Sequence, residues 1–169
     1  FIKLANELHL KGKKIVFFVE KNEIDLVKLI KTNLPQAIFP EHESKIACPA
    51  LVTALGSRLE RAISIDNGVM HMISLAKIPM ITLFGPTNSE KFSPNNEQIN
   101  VIDSKKIYNS KDINKITVDD IFNLIKIFNI LISFNFIILT KSLFTFFNLT
   151  KEVDLVTIET PIFPNLKKG

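Results

Sequence analysis

Apolar positions along the first 130 residues alternate between a helical and an extended rhythm. Phe1, Leu4, Ala5 and Leu8 fall at helical spacing, with Lys3, Glu7 and His9 on the polar side, which predicts a helix over Phe1–Leu10. Lys11-Gly12-Lys13 stops it, Gly12 being suited to a helix C-cap. Ile15 to Val19 is an unbroken apolar run rich in β-branched and aromatic residues, the pattern of a buried parallel strand. Asn22 opens a second helix with apolar positions 24, 26, 27, 29 and 30; Pro35 ends that region, and Ala37 to Phe39 makes a short strand. A helix over Pro49–Leu59, a strand over Ala62–Ile65, a short helix over Gly68–Ala76 and strands over Pro79–Phe84 and Gln98–Ile102 follow. Thr117, with Asp119 and Asp120 behind it, is an N-cap for a last helix whose apolar stripe is Ile121, Leu124, Ile125 and Phe128.

Helices and strands that alternate across short connections predict an α/β fold, a parallel sheet with helices on both faces. Such sheets bind ligands beyond the carboxyl ends of their strands. The turns after Val19, Ile65 and Phe84 are therefore where chemistry is to be sought. One domain, 1–130, accounts for these elements, and 131–169 is an unassigned apolar tail. Across that boundary, Ile127 to Thr140 carries no charge over fourteen residues. That is short of the ~20 that a membrane-spanning helix needs, and Asn129 and Asn135 interrupt it. Removal of 132–169 is expected to leave the domain folded.

Composition changes this picture little. The chain is 46% hydrophobic with a mean hydropathy of +0.21, and the run from Ile121 to Phe147 holds much of that excess. The net charge of +4 comes from dispersed lysines, the clusters being pairs such as Lys13-Lys14 and Lys105-Lys106. Without a basic stripe, nucleic acid is not an expected partner. The one cysteine, Cys48, excludes an intrachain disulfide and fits a reducing compartment. Glu41-His42-Glu43 reads as a polar loop rather than a metal site. The first residue is Phe1 and no signal peptide is visible, so the chain is expected to begin inside a domain.

Chemistry concentrates between Ala62 and Phe92, in AISIDNGVMHMISLAKIPMITLFGPTNSEKF. The strand ending at Ile65 delivers Asp66 to the sheet's carboxyl edge. Asn67-Gly68 turns the chain, Gly68 allowing backbone conformations closed to side chains. A helix follows through Val69, Met70 and His71. Its first N–H groups and positive dipole end suit a diphosphate, and His71 can donate to a phosphate oxygen. Asp66 repels phosphate and is better suited to accept hydrogen bonds from sugar hydroxyls. The next strand ends in Phe84-Gly85-Pro86-Thr87, where Gly85 lets a ligand approach the backbone and Thr87 or Asn88 caps a short helix.

This ordered series resembles the donor-binding signature of glycosyltransferase family 9, the heptosyltransferases that use ADP-heptose to build the lipopolysaccharide core. Asp66, Gly68, His71, Gly85, Pro86 and Thr87 match the family pattern, while Asn67 stands where a Ser or Thr is usual. The resemblance extends more loosely from Phe1 to about Lys126. It implies the C-terminal, donor-binding domain of a GT-B enzyme, with Rossmann-like topology. The donor-contacting residues would be Asp66, Asn67, Gly68, Val69, Met70, His71, Gly85, Pro86 and Thr87, together with Glu20 at the end of the first strand.

The implied reaction is inverting and metal-independent. An acceptor-domain carboxylate, outside this chain, activates the acceptor hydroxyl while the donor domain stabilises the departing ADP. The implied partners are an ADP-sugar donor, as substrate and not cofactor, and a lipopolysaccharide or other glycan acceptor. The implied location is cytoplasmic, at the inner face of the cytoplasmic membrane. The competing expectations are a truncated non-catalytic remnant and another GT-B sugar-nucleotide enzyme such as an epimerase.

Overall fold

The computed structural model describes residues 1–45, 48–127 and the backbone of 155–158. Helix α1 (Ile2–Leu10) turns Leu4, Ala5 and Leu8 inward and ends in a Schellman motif. The Gly12 N–H donates to the His9 carbonyl at 2.8 Å and the Lys13 N–H to the Leu8 carbonyl at 3.1 Å. Gly12 supplies the φ of +84° that this closure requires. Strand β1 (Lys14–Val16) follows, then α2 (Ile24–Asn33), which buries Val27 and Ile30 and leaves Ile24 and Leu29 at the surface. The sequence places a short strand at Ala37–Phe39; what forms is one parallel bridge, with Ile38 donating to the Ile15 carbonyl and accepting from the Phe17 N–H, both at 2.9 Å.

The region 40–43 is a turn of helix, α3 (Pro40–Glu43), rather than the loop expected, because Pro40 begins it and the chain closes back on Phe39. After it come α4 (Pro49–Gly56), β2 (Arg61–Ile65), α5 (Gly68–Ser74), β3 (Met80–Phe84), α6 (Ser89–Phe92), β4 (Ile99–Asp103), α7 (Ser104–Tyr108) and a 3-10 turn at Ile113–Lys115. Helix α8 is described over 118–127. Thr117 caps it reciprocally with Asp120: the Asp120 N–H reaches Thr117 Oγ1 at 3.2 Å, and the Thr117 N–H reaches Asp120 Oδ2 at 2.7 Å. No described helix is long and apolar enough to cross a membrane. Most of the uncharged run Ile127–Thr140 lies outside the described residues.

The sheet has five strands in the order β1-β5-β2-β3-β4, and every neighbouring pair is parallel. Strand β5 (Leu155–Ile158) comes from the stretch to which the sequence assigned no element; it pairs with Lys14–Val16 on one side and Arg61–Ile63 on the other. The remainder of that stretch lies outside the described residues. Strands β2 and β3 are buried almost end to end because helices cover both faces. On one face Ile15, Phe17, Ile63, Ile81, Leu83 and Ile102 pack under α1, α2 and α8. On the other, Val16, Phe18, Ala62, Met80 and Phe84 pack under α4 and α5. The fold is the α/β architecture that the alternation predicts, with a Rossmann-like parallel sheet.

Candidate functional site

Parallel strands end on one edge of a sheet, and three of the predicted positions lie there. Glu20 follows Val19 beyond β1, Asp66 follows β2 and Gly85 follows β3. Because β2 and β3 are direct neighbours, with Ile65 paired to Leu83, the Asp66 turn and the Gly85 turn stand side by side. Glu20 is at the surface beyond β1, on the far side of β5, and its carbonyl accepts from His42 Nε2 at 3.1 Å. The Lys21 ammonium donates to the Ser44 carbonyl at 2.6 Å, so α3 is tied to the end of β1. Glu41 on that turn is held above the ordinary carboxylate range, first by burial; His42 and Lys21 oppose the shift and Glu20 adds to it. Among the described residues no three His, Cys, Asp or Glu side chains converge as metal ligands.

Asn67 is the N-cap of α5: its side-chain oxygen accepts the Met70 N–H at 2.9 Å. Ser, Thr and Asn are near-equivalent caps, so an Asn in place of a hydroxyl residue preserves the helix start and dedicates the side chain to it. Met70 is withdrawn from ligand reach, a correction to the expected set. Its side chain lies in the core at 0% exposure and its N–H belongs to Asn67. The N–H groups of Gly68 and Val69 precede the first α-helical hydrogen bond and have no partner within the helix. His71 is exposed one residue beyond Met70, and Asp66 is half-buried.

Neither motif glycine has the reason expected for it. Gly68 does not have a positive φ, and a Cβ built there meets nothing within 4 Å. Its missing side chain serves neither a turn nor internal packing. Gly85 is buried, and a Cβ there would lie 2.9 Å from the Lys111 carbonyl oxygen and 3.0 Å from the Ile113 nitrogen. What approaches the Gly85 backbone closely is the chain's own 111–113 segment. Gly85→Ala is expected to cost about 1–3 kcal/mol, because backbone must move to admit the methyl. Urea unfolding would measure it, and an unchanged midpoint would mean that 111–113 does not pack there.

Around Gly85 the loop is braced from several directions. Asn88 caps α6 by accepting the Glu90 N–H at 2.9 Å, which resolves the choice between Thr87 and Asn88. The buried Ser89 hydroxyl donates to Asp103 Oδ2 at 2.5 Å. Lys105 Nζ donates to the Pro86 carbonyl at 2.8 Å and the Thr87 carbonyl at 3.3 Å. Ser104 Oγ holds the Asp112 carbonyl at 2.7 Å, and Lys106 pairs with Glu90 at 2.9 Å. Ser89, Asp103, Ser104 and Lys105 were not singled out from the sequence. Each acts on a partner far along the chain, and no local spacing announces such a contact.

The model of glycosyltransferase family 9 (heptosyltransferase) matches residues 1–120, most of the described chain. No curated protein and no solved structure matches it.

Proposed function

The chain belongs to glycosyltransferase family 9, and from that membership we propose that the carboxyl edge of β2 and β3 binds an ADP-sugar of the ADP-heptose type for transfer to a lipopolysaccharide or other glycan acceptor. The observation that carries the reading is Gly68. It opens a helix beside a carboxylate with an ordinary backbone conformation and nothing near its missing side chain. A glycine loses more entropy on folding than alanine, and neither conformation nor packing requires one here, which supports a ligand that needs the backbone bare.

In this reading the N–H groups of Gly68 and Val69 and the His71 ring donate to the diphosphate, and stabilise it as it leaves. Asp66 accepts from sugar hydroxyls, Pro86 and Thr87 line the adjacent wall, and Glu20 reaches donor hydroxyls from beyond β1. The transfer inverts the anomeric carbon and uses no metal; the base that activates the acceptor hydroxyl belongs to an acceptor domain outside residues 1–130. We place the enzyme in the cytoplasm, at the inner face of the membrane that carries the acceptor. The chain by itself is expected to bind ADP weakly and to transfer no sugar.

Calorimetric titration with ADP and ADP-heptose tests this. Gly68→Ala is expected to leave the melt unchanged or raise it slightly, yet to weaken ADP binding. His71→Ala should weaken ADP by about 1–3 kcal/mol, the range for a hydrogen bond to a charged group. Asp66→Ala should weaken the ADP-sugar more than ADP. If all three variants titrate like the parent chain, the site is elsewhere. If the parent chain binds neither ligand, the remnant reading prevails.

A further inference from the structure

Lys105 is the first lysine of α7, and its neighbour Lys106 makes a surface ion pair with Glu90. Lys105 behaves differently. It is half-buried, it makes no ion pair among the described residues, and its ammonium is engaged with two backbone carbonyls, Pro86 at 2.8 Å and Thr87 at 3.3 Å. Those carbonyls belong to the loop at the end of β3, eighteen and nineteen residues earlier in the chain. The root of the side chain is fixed. The Lys105 N–H donates to Asp103 Oδ1 at 2.8 Å, and the adjacent Ser104 hydroxyl holds the Asp112 carbonyl. An ammonium has three donors and a full positive charge. Two carbonyls occupy donors but leave that charge uncancelled.

We propose that Lys105 is a positioning residue for the donor: it holds the Gly85–Thr87 loop in its receptive shape and brings an uncancelled positive charge to the lip of the site, where the donor's diphosphate is bound. The proposal rests on the donor-site reading above for its ligand, but not for its geometry. Loop and charge act together. Without Lys105 the Pro86 and Thr87 carbonyls lose their donor and the cation that balances their negative ends. The effect scales with the anion, so a diphosphate should feel it more than a monophosphate.

The experiment uses the full chain with Lys105→Met, which keeps most of the stem and removes the charge, and Lys105→Arg, which keeps charge and donors. ADP and AMP are titrated by calorimetry, and amide hydrogen exchange is followed over 85–92. Lys105→Met is expected to lower ADP affinity about tenfold, the equivalent of one hydrogen bond to a charged group. AMP should lose distinctly less, exchange over 85–92 should quicken, and Lys105→Arg should recover most of both. A folded Lys105→Met variant with unchanged ADP affinity and unchanged exchange overturns the proposal. So does an equal loss for ADP and AMP, which would mean a general structural defect. If the parent chain binds neither nucleotide, the donor-site reading fails by itself; loop exchange then decides, and exchange unaltered by Lys105→Met overturns the positioning role as well.

Discussion

A chain ending at residue 131 is expected to lose its cooperative thermal transition. Strand β5 lies between β1 and β2, and among the described residues its backbone joins β1 to the β2-β3-β4 group in the strand order. Without it, the strand pairing left to β1 among the described residues is the bridge at Ile38. The strand edges at Lys14–Val16 and Arg61–Ile63 lose their partners in the middle of the fold, where Ile15, Val16, Ala62 and Ile63 are buried. Each backbone group left unpaired there costs about 1–3 kcal/mol, and several are affected. A domain of ordinary stability, roughly 5–15 kcal/mol, does not survive that loss. From the sequence the boundary falls at 130 and the opposite outcome is expected, so a melt of the truncated chain separates the two directly. A cooperative transition near that of the full chain would show that 1–130 folds without β5. Aggregation on expression, or a sloping melt without a transition, would show that the strand belongs to the sheet.

The elements legible in the sequence are those whose cause is local. Gly12 announces its Schellman closure, the apolar runs at Ile63 and Met80–Phe84 announce strands covered on both faces, and Thr117 with Asp120 announces a cap. The signature from Asp66 to Thr87 is legible for the same reason: strand, turn and helix start follow one another without interruption. Helix α7 was not foreseen, because five residues are too few to express a 3.6-residue period. Strand β5 was not foreseen either, since a four-residue apolar segment does not stand out in a stretch rich in Phe, Ile and Leu. The glycines are the instructive case. Sequence supplied the right residues at 68 and 85, but their reasons depend on what lies across from each, and at Gly85 that is a segment more than twenty residues later. The supports of the loop, Asp103 and Lys105, are invisible for the same cause.

Asp103→Ala is expected to be strongly destabilising although it lies away from the ligand. Its carboxylate is 5% exposed, accepts the Ser89 hydroxyl on one oxygen and caps α7 through the Lys105 N–H on the other. Burial alone would push the Asp103 carboxyl up; the Ser89 hydroxyl, the Lys105 and Lys106 N–H groups and the Lys106 charge outweigh it, and the group titrates below the usual carboxylate range. A carboxyl whose folded value lies below its unfolded value of about 3.9 adds stability that is present above that range and lost as pH falls through the folded value. Removing it takes away the cap, about 0.5–2 kcal/mol, and leaves the buried Ser89 hydroxyl without its acceptor, about 1–3 kcal/mol. Together these predict a melting midpoint at pH 7 lower by roughly 5–20 °C. Asp103→Asn, which keeps an acceptor for Ser89 or for the cap, should lose distinctly less. The pH dependence supplies the sharper test. The parent chain should lose stability relative to Asp103→Ala as the pH is lowered below the ordinary carboxylate range, so the gap between their melts narrows in acid. A gap that stayed constant from pH 7 into that range would mean that the carboxylate's charge contributes nothing, and that its place could be taken by any neutral acceptor.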